Sequence, residues 1–151
     1  MERVGTDRID KEVEVNASLE TVFNYINEPS SLPEIWPSLV EIKDVQPLPN
    51  GGFSSRWVYK MAGMRFEGTA ECIDILPNQY IIVETRGGIG STMTWTFRFK
   101  DNITKVTLTV EYNVPIPLLG RLAESIIVMM NEQESNLLMA NLKARFMMAD
   151  H

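Results

Sequence analysis

The sequence predicts a single α+β domain in which a strongly curved antiparallel sheet wraps around a long C-terminal helix, and three observations carry that reading. First, Leu118 to Met148 follows the break Val114-Pro115-Ile116-Pro117 and repeats apolar residues at Leu119, Leu122, Ile126, Met130, Leu137, Ala140 and Ala144, the three-and-four spacing of a helix with one buried face. Second, from Leu39 to Tyr112 polar and apolar residues alternate between closely spaced turn signals, as in an antiparallel meander. Third, 151 residues with 44% hydrophobic content suit one core and one domain spanning the whole chain, residues 1–151. At about 1.5 Å per residue the helix is roughly 45 Å long. It therefore needs a long apolar partner surface, which the sheet supplies.

In chain order, Arg8 to Val15 alternates, with Ile9, Lys11, Val13 and Val15 on one side and Arg8, Asp10, Glu12 and Glu14 on the other, and reads as a first strand. Ser18 offers an N-cap, Glu20 suits the first turn, and Leu19, Val22, Phe23 and Ile26 form an apolar stripe. This helix ends near Asn27-Glu28-Pro29, and a second short helix runs from Ser30 to Trp36 before Pro37. Six further strands follow at Leu39–Gln46, Phe53–Met61, Met64–Leu76, Tyr80–Arg86, Ser91–Lys100 and Lys105–Tyr112, making seven in all. The turns between them, Pro49-Asn50-Gly51-Gly52, Ala62-Gly63, Pro77-Asn78, Gly87-Gly88-Ile89-Gly90 and Asp101-Asn102, are short, so neighbouring strands should pair as hairpins. The Gly87–Gly90 run joins strands and opens no helix, so it is read as a hairpin rather than a phosphate loop.

Alternation assigns an inward face carrying Phe53, Ser55, Trp57, Tyr59 and Met61, then Met64, Phe66, Gly68, Ala70 and Cys72, then Met93, Trp95, Phe97 and Phe99, then Val106, Leu108, Val110 and Tyr112. The Ile81-Ile82-Val83 run hides the phase of its strand, so alternation does not place Glu84 or Arg86.

Composition excludes whole classes of chemistry. A net charge of −6 opposes both nucleic acid and an anionic membrane surface. No run approaches the roughly 18 apolar residues of a spanning helix, and Met1 to Asp7 has no apolar leader, so integral membrane contact is not expected and the expected compartment is the cytoplasm. With one cysteine, Cys72, and one histidine, His151, at the chain end, neither a Ser-His-Asp or Cys-His relay nor a Cys/His metal cluster is available, and no metal or cofactor is expected. Acid–base work would fall to Asp, Glu, Tyr, Lys or water.

The stretch Val13-Glu14-Val15-Asn16-Ala17-Ser18 leading into Val22-Phe23-Asn24-Tyr25-Ile26, then Leu32-Pro33-Glu34-Ile35-Trp36-Pro37, and the terminal helix together resemble the START-like helix-grip superfamily, in particular its polyketide cyclase/dehydrase and lipid-transport members. The resemblance covers nearly the whole chain as an order of elements. It implies a hollow between the concave sheet and the long helix that holds a small hydrophobic ligand, a lipid or a polyketide. Members include cyclases or aromatases, lipid carriers and partner-binding modules, and no shared catalytic motif carries over residue by residue.

On this basis the candidate ligand contacts are Trp57, Tyr59, Phe66, Met93, Trp95, Phe97 and Tyr112 on the sheet, with Met130, Gln133 and Leu137 on the helix. Periodicity alone does not distinguish such an aromatic face filling a core from one lining a hollow. The leading expectation is a binding protein that sequesters or transports its ligand. The alternative is a cofactor-independent cyclase, aromatase or dehydratase, with Glu84, Tyr59 or Tyr112 moving protons. A third is an interaction module that forms a homodimer through the Met147-Met148 end or the outer face of the helix.

Overall fold

A computed structural model of the protein describes residues 5–61, 63–87, 90–114 and 132–147, and for residues 5–7, 61, 64 and 112–114 the backbone alone. Turn chemistry sets the meander. Asp101 and Asn102 adopt φ of 54° and 64° between the paired ends Lys100 and Ile103, the two-residue turn whose twist suits a hairpin and which Asp and Asn tolerate best after Gly. Asn78 at φ 65° and Gly63 at φ 75° close two further hairpins. Among the described residues seven strands form one antiparallel sheet: β1 (Gly5–Val15), β2 (Leu39–Pro47), β3 (Phe53–Met61), β4 (Met64–Leu76), β5 (Tyr80–Arg86), β6 (Ser91–Lys100) and β7 (Ile103–Val114), in the order β1-β7-β6-β5-β4-β3-β2. Strands β1 and β7 extend beyond the ranges read from alternation because they pair along their full length, from Gly5 opposite Val114 to Val15 opposite Thr104.

Between β1 and β2, helix α1 (Leu19–Ile26) starts where Ser18 accepts a hydrogen bond from the Thr21 N–H at 3.2 Å and buries Val22, Phe23 and Ile26. A 3-10 segment follows at Pro29–Glu34. Because β1 and β2 are opposite edges of the sheet, this pair of short elements links its two margins. Phe23 meets Phe97 edge-on at 5.3 Å, which seats α1 on β6.

Residues 132–147 are helical and are called α2; the remainder of the predicted Leu118–Met148 helix, with Met129, Met130 and Met148, lies outside the described residues. The buried face of α2 is Ser135, Leu138, Met139, Leu142 and Phe146, spaced three and four apart. The predicted stripe through Leu137, Ala140 and Ala144 is corrected: all three are exposed, Leu137 by 48%. One residue turns a helix by about 100°, and between two stripes of equal spacing the one with the larger apolar side chains takes the core. Phe99 also departs from expectation, being 49% exposed near the end of β6.

Three polar contacts along one edge of α2 hold it against the 3-10 segment and the chain just after it. Glu134 accepts from the Ser38 N–H at 3.0 Å, Asn141 donates to the Ile35 carbonyl at 3.0 Å, and Arg145 pairs with Glu34 at 3.0 Å. On the other side Glu132 pairs with Lys11 of β1 at 3.0 Å.

The Tyr25 hydroxyl donates to the same Glu34 carboxylate at 2.8 Å, with the Arg145 guanidinium 5.4 Å from its ring centre. Burial, then the hydrogen bond to Glu34, pushes the Tyr25 phenol above its usual range. A raised folded-state pKa means that this contribution is complete below the unfolded value near 10 and is lost as pH rises through the folded one. Stability should thus decline above about pH 10, and Tyr25→Phe, costing about 1 kcal/mol or less at neutral pH, should remove its share of that decline. Urea titrations of both proteins at pH 7 and in the alkaline range check this.

Candidate functional site

A cavity of about 160 Å³ lies between the concave face of the sheet and the start of described α2. Register explains what lines it. Side chains facing inward on neighbouring strands fall into rows across the sheet. The row Val83, Met93, Val110 and Ile9 crosses β5, β6, β7 and β1 and is apolar. Trp95, 2% exposed, stands one row deeper, opposite the fully buried Leu108. On the other side of that apolar row, Ser55, Ala70, Thr85 and Ser91 lie abreast on β3 to β6. Beyond them come Trp57 opposite Gly68, then Tyr59 opposite Phe66. Leu32, Trp36, Leu39 and Ile42 form a side wall, and α2 contributes Glu134 and Ser135.

Several polar atoms at the cavity are already engaged. The Trp57 indole N–H donates to the Thr69 carbonyl at 3.0 Å, and the Trp36 N–H donates to the Tyr59 hydroxyl at 3.3 Å with the two rings edge to face. The Thr85 and Ser91 hydroxyls are 2.6 Å apart. Glu134 is the one carboxylate among the described lining residues, and it accepts the Ser38 N–H.

The structure brings together five of the ten sequence-derived contact candidates, Trp57, Tyr59, Phe66, Met93 and Trp95. Phe97 does not join them; it is buried one layer away, against Phe23. Gln133 and Leu137 are corrected from the cavity to the surface, since α2 turns the Ser135–Leu138 side inward. Met130 and the side chain of Tyr112 lie outside the described residues. Glu84 has the outward parity, between the lining residues Val83 and Thr85, and pairs with Arg86 at 2.8 Å. It is therefore away from the cavity and from Tyr59. Burial raises the pKa of the Cys72 thiol, which donates to the Asp74 carbonyl, so it behaves as a small apolar side chain.

Sequence reasoning does not single out Ser55, Ala70, Thr85, Ser91, Trp36, Glu134 or Ser135 as contacts. The inward phase of Ser55 and Ala70 is readable from alternation. That they share a row with Thr85 and Ser91 depends on strand register, which a single sequence does not display. Among the described residues no group of three or more His, Cys, Asp or Glu could hold a metal ion, and no helix is long and apolar enough to cross a membrane.

A seven-stranded curved antiparallel sheet with a C-terminal helix packed on it and short helices after its first strand is the helix-grip class of the START-like superfamily. Within it, the chain belongs to the family described as polyketide cyclase/dehydrase and lipid transport, which matches residues 6–147. Among solved structures it is similar to the Zhui aromatase/cyclase from Streptomyces sp. R1128 (TM-score 0.82, 15% identity, 97% of each chain covered). It is also similar to a START superfamily protein from Mycobacterium smegmatis (0.76, 17%, covering 96% of this chain and 99% of the other) and to a protein from Thermus thermophilus (0.74, 21%, 96% and 100%). At these identities the likeness is one of fold. No curated protein matches the chain.

Proposed function

We propose that the protein binds a small hydrophobic molecule in the cavity between sheet and α2 and carries or sequesters it unchanged. The observation that supports this most is the composition of the walls. They join large apolar surfaces, Trp57, Phe66, Met93 and Trp95, to a few hydroxyls, and their one described carboxylate is held by a backbone N–H. Such walls hold and orient an apolar ligand, and the carboxylate they carry among the described residues is already engaged by the Ser38 N–H. The proton-transfer scheme through Glu84 loses its footing, because that carboxylate pairs with Arg86 on the outward parity. Native mass spectrometry of protein recovered from cells tests the reading. A ligand mass that disappears on denaturation is expected, as is a melting temperature that rises with an apolar probe, since a ligand preferring the folded state stabilises it by about 2.7 kcal/mol at a hundredfold excess over Kd. An empty protein indifferent to every apolar probe overturns it.

A further inference from the structure

Two serines at the cavity differ from the other polar residues there. Ser55 of β3 and Ser135 of α2 are each 6% exposed, and both line the cavity. Among the described residues neither hydroxyl has a hydrogen-bond partner, while Thr85 and Ser91 satisfy each other and the Trp57 and Trp36 N–H groups have acceptors. Buried hydroxyls are rarely left in this state, because an unmade hydrogen bond costs the full desolvation of the group. Alanine or valine would fill either position without that cost. Ser135 is the more telling of the two, since it is a polar residue on the buried stripe of α2 that continues through Leu138, Met139 and Leu142. The Trp95 indole N–H, buried on the same cavity, likewise meets no acceptor among the described residues. The cavity lining thus carries a buried hydroxyl from the sheet, a buried hydroxyl from α2 and a buried indole N–H, none of which meets a partner among the described residues.

The charge around these donors narrows what that acceptor is. No Lys or Arg is among the described lining residues, and Glu134 adds a negative charge next to Ser135. An ionised carboxylate or phosphate would be taken out of water here with no cation to pair it and a like charge close by, which is costly. A carbonyl or hydroxyl oxygen on an otherwise apolar skeleton satisfies the donors without that penalty. Building on the binding function proposed above, we infer that Ser55 and Ser135 are specificity-determining residues that take up a neutral oxygen of an uncharged hydrophobic ligand, and that the cavity discriminates against anionic lipids.

Three probes on one skeleton test this by equilibrium dialysis: tetralin, 1-tetralone and tetralin-1-carboxylate. The ketone should bind about tenfold or more tightly than the hydrocarbon, because a site with unmatched polar groups rejects a ligand that leaves them unpaired, and the carboxylate should bind weakest. Ser55→Ala and Ser135→Ala should each narrow the ketone-to-hydrocarbon ratio severalfold, by weakening the ketone, strengthening tetralin or both, and should not lower the melting temperature. That combination separates ligand recognition from a role in holding the fold. If tetralin binds as well as the ketone, or the serine variants keep the full ratio, the inference is overturned while the binding function stands. If the carboxylate binds tightest, the claim of an uncharged ligand is overturned. Failure of all three probes to bind, in wild type as well as variants, overturns the binding function and this inference with it.

Discussion

Leu142→Ala is expected to destabilise the protein by about 2–5 kcal/mol, read as a lowered urea midpoint with unchanged slope. Leu142 is fully buried and stands in the middle of the α2 stripe, with Leu138 and Met139 a turn before it and Phe146 a turn after. Removing its side chain leaves a void against the core cluster that holds Trp95, Phe97, Val106 and Leu108. These residues come from the paired strands β6 and β7, so the gap is expected to close only in part. Leu137→Ala is the matched control. The same atoms are deleted one helical position away from the buried stripe, on a side chain 48% exposed, and the change should stay within about 0.5 kcal/mol. If the helix packed on the stripe through Leu137, Ala140 and Ala144, the two effects would be reversed.

Gly68→Ala should cost about 1–3 kcal/mol, although it adds a single methyl group on the face that lines the cavity. A Cβ at Gly68 would overlap the backbone carbonyl oxygen of Arg86 and the ring of Trp57, which lies across this glycine with its N–H on the Thr69 carbonyl. At Gly87, whose φ is +92°, an added Cβ would come within 2.6 Å of the Glu67 oxygen, so β4 and the end of β5 approach each other more closely than two side-chain-bearing residues allow. The Gly68 variant must push the backbone apart or eject the indole. A changed Trp57 fluorescence spectrum together with the lost stability would mark the second route.

How much of this is legible in the sequence depends on which physical signal each residue carries. The limits of β3, β4, β5 and β6 coincide with the predicted ones because turn residues of restricted conformation, Asn78 and Asp101-Asn102 among them, interrupt a clear alternation. The phase of α2 differs from the predicted one because a stripe projected from Leu119 through Met130 passes through Leu137 and Ala144 as regularly as the true one passes through Leu138, Leu142 and Phe146. Spacing alone does not choose between them; side-chain volume does. Phe97 and Trp95 share the inward phase of one strand, yet one packs under α1 and the other lines the cavity. That division follows from where α1 ends, a tertiary fact. The hydroxyl row is hidden twice, by the Ile81-Ile82-Val83 run that obscures Thr85 and by register, which brings Ser55, Thr85 and Ser91 abreast although they come from three strands.

Ligand binding requires the space above the sheet to be a cavity rather than a filled core, and Ala70→Leu measures that most directly. Ala70 lies two residues from Gly68 on the same face, in the row between Ser55 and Thr85, and lines the cavity. A leucine there extends into open volume if the cavity exists, so the expected result is a urea-unfolding free energy that is unchanged or higher, together with loss of the stabilisation that an apolar ligand gives the wild-type protein. A loss of about 1–3 kcal/mol, the cost of forcing extra methyl groups into a packed interior, would contradict it.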